Sequence, residues 1–148
     1  MRIAICGSMS FAKGMLAAGD FLGSCGVEYD MPEGVREYAS GKIPVGTFGG
    51  SVGAKRKIDH GLIRKHWEKI AKSDAILIIN LRKDETDHYI GGNTFLEMGF
   101  AHVLGKRIFL LNPIPDQPIF GEEMEAMQPI ILHGDFHNLR TSISLFWS

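Results

Sequence analysis

Two short stretches of the chain combine glycine with side chains that could do chemistry. The first is Cys6-Gly7-Ser8-Met9-Ser10, at the end of an apolar run. A glycine there lets backbone approach a phosphate closely, and free N–H groups at the start of a following helix favour an anion. Ser8 and Ser10 add hydroxyl donors. The same residues also fit a tight turn with Ser10 as a helix N-cap. No Gly-Lys-Ser/Thr follows, so this is not a Walker loop. The second stretch is Tyr89-Ile90-Gly91-Gly92-Asn93-Thr94-Phe95-Leu96-Glu97. Thr94-x-x-Glu97 matches a capping box, in which Glu97 accepts the Thr94 N–H. Alternatively, Glu97 faces a crevice from the first turn of a helix, whose dipole favours the carboxylate. A carboxylate beside a sugar ring can attack the anomeric carbon and split one hard displacement into two.

The other candidates are weaker. Asp74, in Lys72-Ser73-Asp74-Ala75, precedes an apolar run and reads as a turn or cap residue. Asn80, at the opposite end of that run, is better placed to touch a ligand. His133-Gly134-Asp135-Phe136-His137 has no zinc spacing, so no metal is expected there. His60, His66 and His88 read as solvent-exposed, His102 as packed, and Met124 with Met127 as core edge.

These residues need elements to position them. Arg2–Cys6 reads as a strand buried on both faces, followed by a helix from Phe11 to about Ser24 that Gly19 weakens. Val27–Asp30 is a second strand. Glu33–Arg56 is glycine-rich and irregular, and residues 31–56 read as a flexible flap. Lys57–Lys72 is one amphipathic helix carrying Ile58, Leu62, Ile63, Trp67 and Ile70. Ala75–Asn80 is the clearest buried strand, and Leu81–Gly92 a polar loop. A helix runs from Asn93 or Thr94 to about Leu104, with Gly105 as its C-cap. Arg107–Asn112 and Pro129–Leu132 are strands, and Phe136–Trp147 is a terminal helix.

This alternation predicts an α/β fold with a parallel five-stranded sheet covered by helices on both faces. Ligands of such sheets lie beyond the carboxyl ends of the strands, where strand order reverses. Gly7, Ser8, Ser10, Asn80, Gly91, Gly92, Asn93 and Thr94 all fall there.

Composition narrows the partners. The 148 residues are 45% hydrophobic and 22% charged, with net charge -1, which suits a single globular domain spanning 1–148. There is no basic excess for DNA or RNA. The longest apolar run, Ala75–Ile79, is too short for a membrane span. Cys6 reads as a buried strand residue and Cys25 as a helix-end residue, not as a disulfide framework. With no signal peptide evident in the first residues, a cytoplasmic location is expected.

Together these motifs resemble the nucleoside 2-deoxyribosyltransferase family, which includes the related 2'-deoxynucleoside 5'-phosphate N-hydrolases. The resemblance rests on Cys6-Gly7-Ser8 after the first strand, on Ser73-Asp74 before a central strand, and on Glu97-Met98-Gly99-Phe100-Ala101 running to Leu104-Gly105-Lys106. It covers roughly Arg2 to Asn112. It implies a flavodoxin-like (Rossmann-like) sheet, a nucleoside or nucleotide as the small-molecule partner, and hydrolysis or transfer at an N-glycosidic bond. It also implies Glu97 as nucleophile, no cofactor, and a homodimer or larger homo-oligomer. Two departures stand out. His66 occupies the place of the family's second acid, where it could shuttle a proton. Gly91 replaces an aspartate of the transferases, which favours a phosphate-binding or hydrolytic member; Asp84 or Asp87 are the residues that could compensate. The cytokinin-activating phosphoribohydrolases use a related glycine motif, but Gly91-Gly92-Asn93-Thr94 is one glycine short of it. Two rivals remain: a non-catalytic nucleotide-binding module, and an interaction protein using its terminal Leu145-Phe146-Trp147.

Overall fold

The structure is a computed structural model that describes residues 1–116 and 119–147. Five strands form one sheet: β1 (Arg2–Gly7), β2 (Glu28–Asp30), β3 (Ala75–Ile79), β4 (Arg107–Leu110) and β5 (Ile130–Ile131). Their order is β2-β1-β3-β4-β5, and every pairing is parallel. This is the flavodoxin-like order, with its switch point between β1 and β3. β1 from Ile3 to Cys6 and all of β3 are apolar and buried because both of their faces are covered.

Side-chain alternation divides the core into two layers. Ile3, Ile5, Leu77, Ile79 and Phe109 pack against α1 (Ala12–Ser24), α2 (Val35–Ala39) and α7 (Phe136–Phe146). Ala4, Cys6, Ile76, Ile78, Ile108 and Leu110 point the other way. They meet Ile70, Met98, Ala101 and Met124 on α4 (Leu62–Lys72), α5 (Gly92–Val103) and α6 (Gly121–Ala126). Cys6 therefore faces α4 and α5, because it shares the parity of Ala4 along β1.

Several expectations change. The stretch read as an irregular flap holds α2 and the first half of α3 (Gly50–His60). The single helix expected over Lys57–Lys72 is two, α3 and α4. Gly61, at φ 57°, breaks them by taking the left-handed conformation that caps α3. Helix α6 lies where only a core edge was expected, although Met124 is buried as anticipated. Gly19, which weakens α1 in isolation, is needed for packing: a Cβ there would stand 2.8 Å from the Tyr29 ring on β2.

The amino ends of the strands are tied together. Asp74 accepts the Arg2 N–H at 2.8 Å, and Ser73 Oγ donates to the Lys69 carbonyl at the end of α4. Asp74 is thus a structural residue, as its position before β3 suggested.

Candidate active site

At the carboxyl ends of the strands lies a cleft of about 410 Å³. That is within the range of small-molecule sites. One wall is the turn after β1, with Gly7, Ser8, Met9 and Ser10. Ser8 Oγ accepts the Ser10 N–H at 3.3 Å and its carbonyl accepts the Phe11 N–H at 2.8 Å. Ser8 therefore caps the short helical turn Met9–Phe11, and Ser10, expected as the cap, lies inside it. Gly7 is required by the sheet: a Cβ there would sit 2.9 Å from the Ile79 carbonyl oxygen on β3.

The opposite wall is the start of α5. Gly91 is its extended N-cap, and the first helical bond runs from the Phe95 N–H to the Gly91 carbonyl. The N–H groups of Gly92, Asn93 and Thr94 precede that bond, which makes this end of the helix suited to an anion. Because the helix begins at Gly92, Thr94 is not its cap and the capping box does not form. Glu97 lies one turn further in. It is 5% exposed, and its Oε1 accepts a hydrogen bond from Asn93 Nδ2 at 2.8 Å. Its Oε2 is buried with no partner.

α4 completes the floor with His66. The sequence places this histidine in solvent; the structure leaves it 6% exposed. It follows the α4 face that packs on β1, so its Nε2 shares a 3.3 Å hydrogen bond with Cys6 Sγ. The same nitrogen is 3.7 Å from Glu97 Oε1. Burial is the main influence on both groups. It pushes the Glu97 carboxyl up to about 7, against partial compensation from Cys6, Asn93 and Lys57. It lowers His66 to about 4, assisted by Lys69 and opposed by Asp30. At neutral pH the imidazole is uncharged, so the contact is not an ion pair despite its length. Burial also holds the Cys6 thiol well above its ordinary range.

The rim comes largely from residues to which the sequence assigned no role. Tyr38 reaches in from α2, Arg56 and Lys57 from α3, Lys65 and Lys69 from α4, and Lys83 with Tyr89 from the loop after β3. Against these five cations the cleft has two acids, Glu33 and Glu97. Lys65 pairs with Glu33 at 3.4 Å, whereas Lys69 keeps its full charge while donating to the neutral Met31 carbonyl at 2.7 Å, so Arg56, Lys57, Lys69 and Lys83 are the cations that no acid among the described residues neutralises. The only sequence signal for them was the cluster Lys55-Arg56-Lys57, and nothing local says that it folds over a sheet end.

Asn80 is corrected. It is fully buried and does not line the cleft. Its Nδ2 donates to the carbonyls of Asn112 and Pro113, its Oδ1 accepts the Asn112 N–H, and Asn112 Nδ2 donates back to its carbonyl. The pair staples the ends of β3 and β4. Asp84 and Asp87 also stay out of the cleft, and Asp87 pairs with Arg82 at 3.1 Å. His102 is exposed instead of packed, and Asp135 is used as the N-cap of α7 through the His137 N–H. The terminal Phe146 and Trp147 are partly covered by the Arg107 guanidinium, 3.7 Å and 5.4 Å from their ring centres.

No protein-family profile matches the chain, and no curated protein matches it. Among solved structures it is similar to the Clostridium botulinum CMP N-glycosidase BcmB, with a TM-score of 0.51, 15% identity, and 99% of each chain covered. At that identity the likeness establishes a shared flavodoxin-like fold, in accord with the strand order found here.

Proposed function

We propose that this chain is an N-glycosidase of the nucleoside 2-deoxyribosyltransferase type, folded as one domain, that hydrolyses nucleoside 5'-monophosphates. The observation that carries the reading is Glu97. It is a carboxyl at the floor of a ligand-sized cleft, with one oxygen oriented by Asn93 and the other without a partner. An ionised Glu97 attacks C1' of the sugar as the C1'–N bond breaks, and that electron pair leaves with the base, which takes a proton from solvent, matched by the one that water releases in the next step. Water then opens the glycosyl ester, giving free sugar phosphate and restoring the carboxylate. The neutral His66 suits the second step, where an uncharged imidazole accepts the proton of the attacking water. Cations at the rim and free N–H groups at the start of α5 favour a phosphorylated substrate over a bare nucleoside. The reaction named for the structural neighbour, cleavage of a nucleotide N-glycosidic bond, is of the same class.

The proposal includes self-association. Ile58 and Ile63, exposed on α3 and α4, line a groove together with Trp67 and Phe100. Apolar residues gathered on one side fit a second copy of the chain better than solvent.

The test is a panel of nucleosides and monophosphates assayed for released base by chromatography. Wild type should release base from at least one monophosphate, and Glu97→Gln should be slower by two orders of magnitude or more, roughly the scale of losing a principal catalytic group. Equal rates would remove Glu97 as nucleophile. A second reading, a nucleotide-binding module without turnover, is favoured by His66 standing where the family has an acid. Thermal stabilisation by nucleotides with no base released from any of them would select it.

A further inference from the structure

The mechanism above uses Glu97 and His66 but leaves Cys6 idle, although its thiol is buried against both. The three come from separate elements, β1, α4 and α5, and converge on one point. Their ligand atoms, Cys6 Sγ, the His66 ring nitrogen and a Glu97 carboxylate oxygen, all lie within 4.8 Å of one another, and all three residues are buried. Two of the separations are given by contacts: 3.3 Å from sulfur to Nε2 and 3.7 Å from Nε2 to Oε1. A tetrahedral zinc ion with ordinary bond lengths places sulfur, nitrogen and oxygen ligands about 3.4–3.6 Å apart. Two edges of that triangle already have about the right size, and the third, between sulfur and carboxylate, is no longer than 4.8 Å.

The surroundings suit an ion as well. Glu97 Oε2 is buried without a partner, a state that buried polar atoms rarely keep. Asn93 Nδ2 bonds Oε1, the oxygen 3.7 Å from His66 Nε2, and so fixes the orientation of the carboxylate at the cluster. His66 and Glu97 both line the cleft, so a fourth coordination position would open into it. Thiolate, imidazole and carboxylate together select a borderline-soft divalent cation over magnesium or calcium, which prefer oxygen alone.

We propose that Cys6, His66 and Glu97 form a three-ligand site for a zinc-class divalent cation. Binding displaces the thiol proton of Cys6 to solvent, along with any proton on Glu97, and changes no oxidation state. Filling the site occupies the lone pairs of Glu97, so on the glycosidase reading the ion is an inhibitor that competes with the sugar for that carboxylate. The metal site itself does not depend on that reading.

The experiment is a titration of chelator-stripped, full-length protein with cobalt(II), followed by absorption spectroscopy. One cobalt per chain should bind, with a thiolate-to-cobalt charge-transfer band and the intense visible bands of a four-coordinate ion. Zinc should displace it. Both features should vanish in Cys6→Ser and persist in Cys25→Ser, whose cysteine lies at the far end of α1. His66→Gln should weaken binding by roughly tenfold or more. Absence of the charge-transfer band at saturating cobalt, or its persistence in Cys6→Ser, would overturn the site. Should Cys6→Ser not fold, zinc-edge X-ray absorption on wild type decides. One sulfur among nitrogen and oxygen scatterers supports the site, and a sulfur-free shell or several sulfurs refutes it. Base release measured with and without zinc separates the two claims. A cobalt spectrum with no base released under any condition leaves the metal site standing and removes the glycosidase.

Discussion

His66 Nε2 and Glu97 Oε1 lie 3.7 Å apart, on different helices, each in a place that resists charge. Burial moves their proton affinities in opposite directions, toward about 4 for the histidine and about 7 for the carboxyl. Near neutral pH the pair is therefore an uncharged imidazole beside a half-ionised acid.

Stability should respond to pH through both groups with opposite sign. Glu97 binds its proton more tightly in the folded chain than its ordinary 4.5 allows, so its contribution is full below 4.5 and lost as pH rises to about 7. His66 binds its proton less tightly than its ordinary 6.5, so its contribution is full above 6.5 and lost as pH falls to about 4. Each amounts to something on the order of 3 kcal/mol, and between 4.5 and 6.5 they oppose each other. Urea melts across pH 4–7 should show a nearly flat profile for wild type. Glu97→Gln should expose a rise with pH, and His66→Gln a fall. A wild-type profile that tracks either variant would mean that one group dominates.

Activity should follow ionisation of Glu97. A nucleophile with its midpoint near 7 makes kcat/KM climb with pH through that value and level off above it. Lys57 helps to hold the carboxylate ionised. Lys57→Ala should move the midpoint to higher pH by a few tenths of a unit, as expected for a screened charge at the rim. A midpoint that stays in place would remove Lys57 from the electrostatics of the floor.

Arg56 and Lys83 should serve affinity more than chemistry. The Arg56 guanidinium sits 4.5 Å from the Phe48 ring centre and the Lys83 ammonium 4.8 Å from that of Tyr89, which steadies both at the mouth. Replacing either with alanine should raise KM for a nucleoside monophosphate several-fold at low salt and leave kcat largely unchanged. The effect should shrink as salt is added. An equal rise for the unphosphorylated nucleoside would show that neither reads phosphate.

Asn80→Ala should damage stability and not recognition. It removes the side-chain half of the Asn80–Asn112 staple and strands buried backbone groups. The loss should be about 2–4 kcal/mol by denaturant melts, from several hydrogen bonds of ordinary strength. KM measured well below the melting temperature should stay close to wild type. A large change in KM with intact stability would return Asn80 to the binding site.

Much of the architecture was legible one segment at a time. Arg2–Cys6, Ala75–Asn80 and Arg107–Asn112 read as buried strands, and the structure places β1, β3 and β4 within a residue or two of those limits. The errors fall where a choice was not local. Gly61 looks no different from the other glycines near it, yet it alone divides α3 from α4. Asn80 looked like a ligand contact because of its position; a second asparagine, 32 residues away, claims it. His66 looked exposed because it sits beside charged neighbours in sequence, and the helical turn it occupies faces β1.

Taken alone, the order of residues determined the alternation of strands and helices, hence a parallel sheet, and it singled out Gly7 and Ser8 at the end of a strand and Glu97 near the start of a helix. Those are consequences of periodicity and turn chemistry, which act over a few residues. The tertiary structure decided what Glu97 is. Cys6, His66 and Asn93 reach it from elements far apart in the chain or across a helical turn, and together they bury the carboxyl. The proton affinity of a carboxyl depends on the dielectric and charges around it, and those are set only when β1, α4 and α5 pack together.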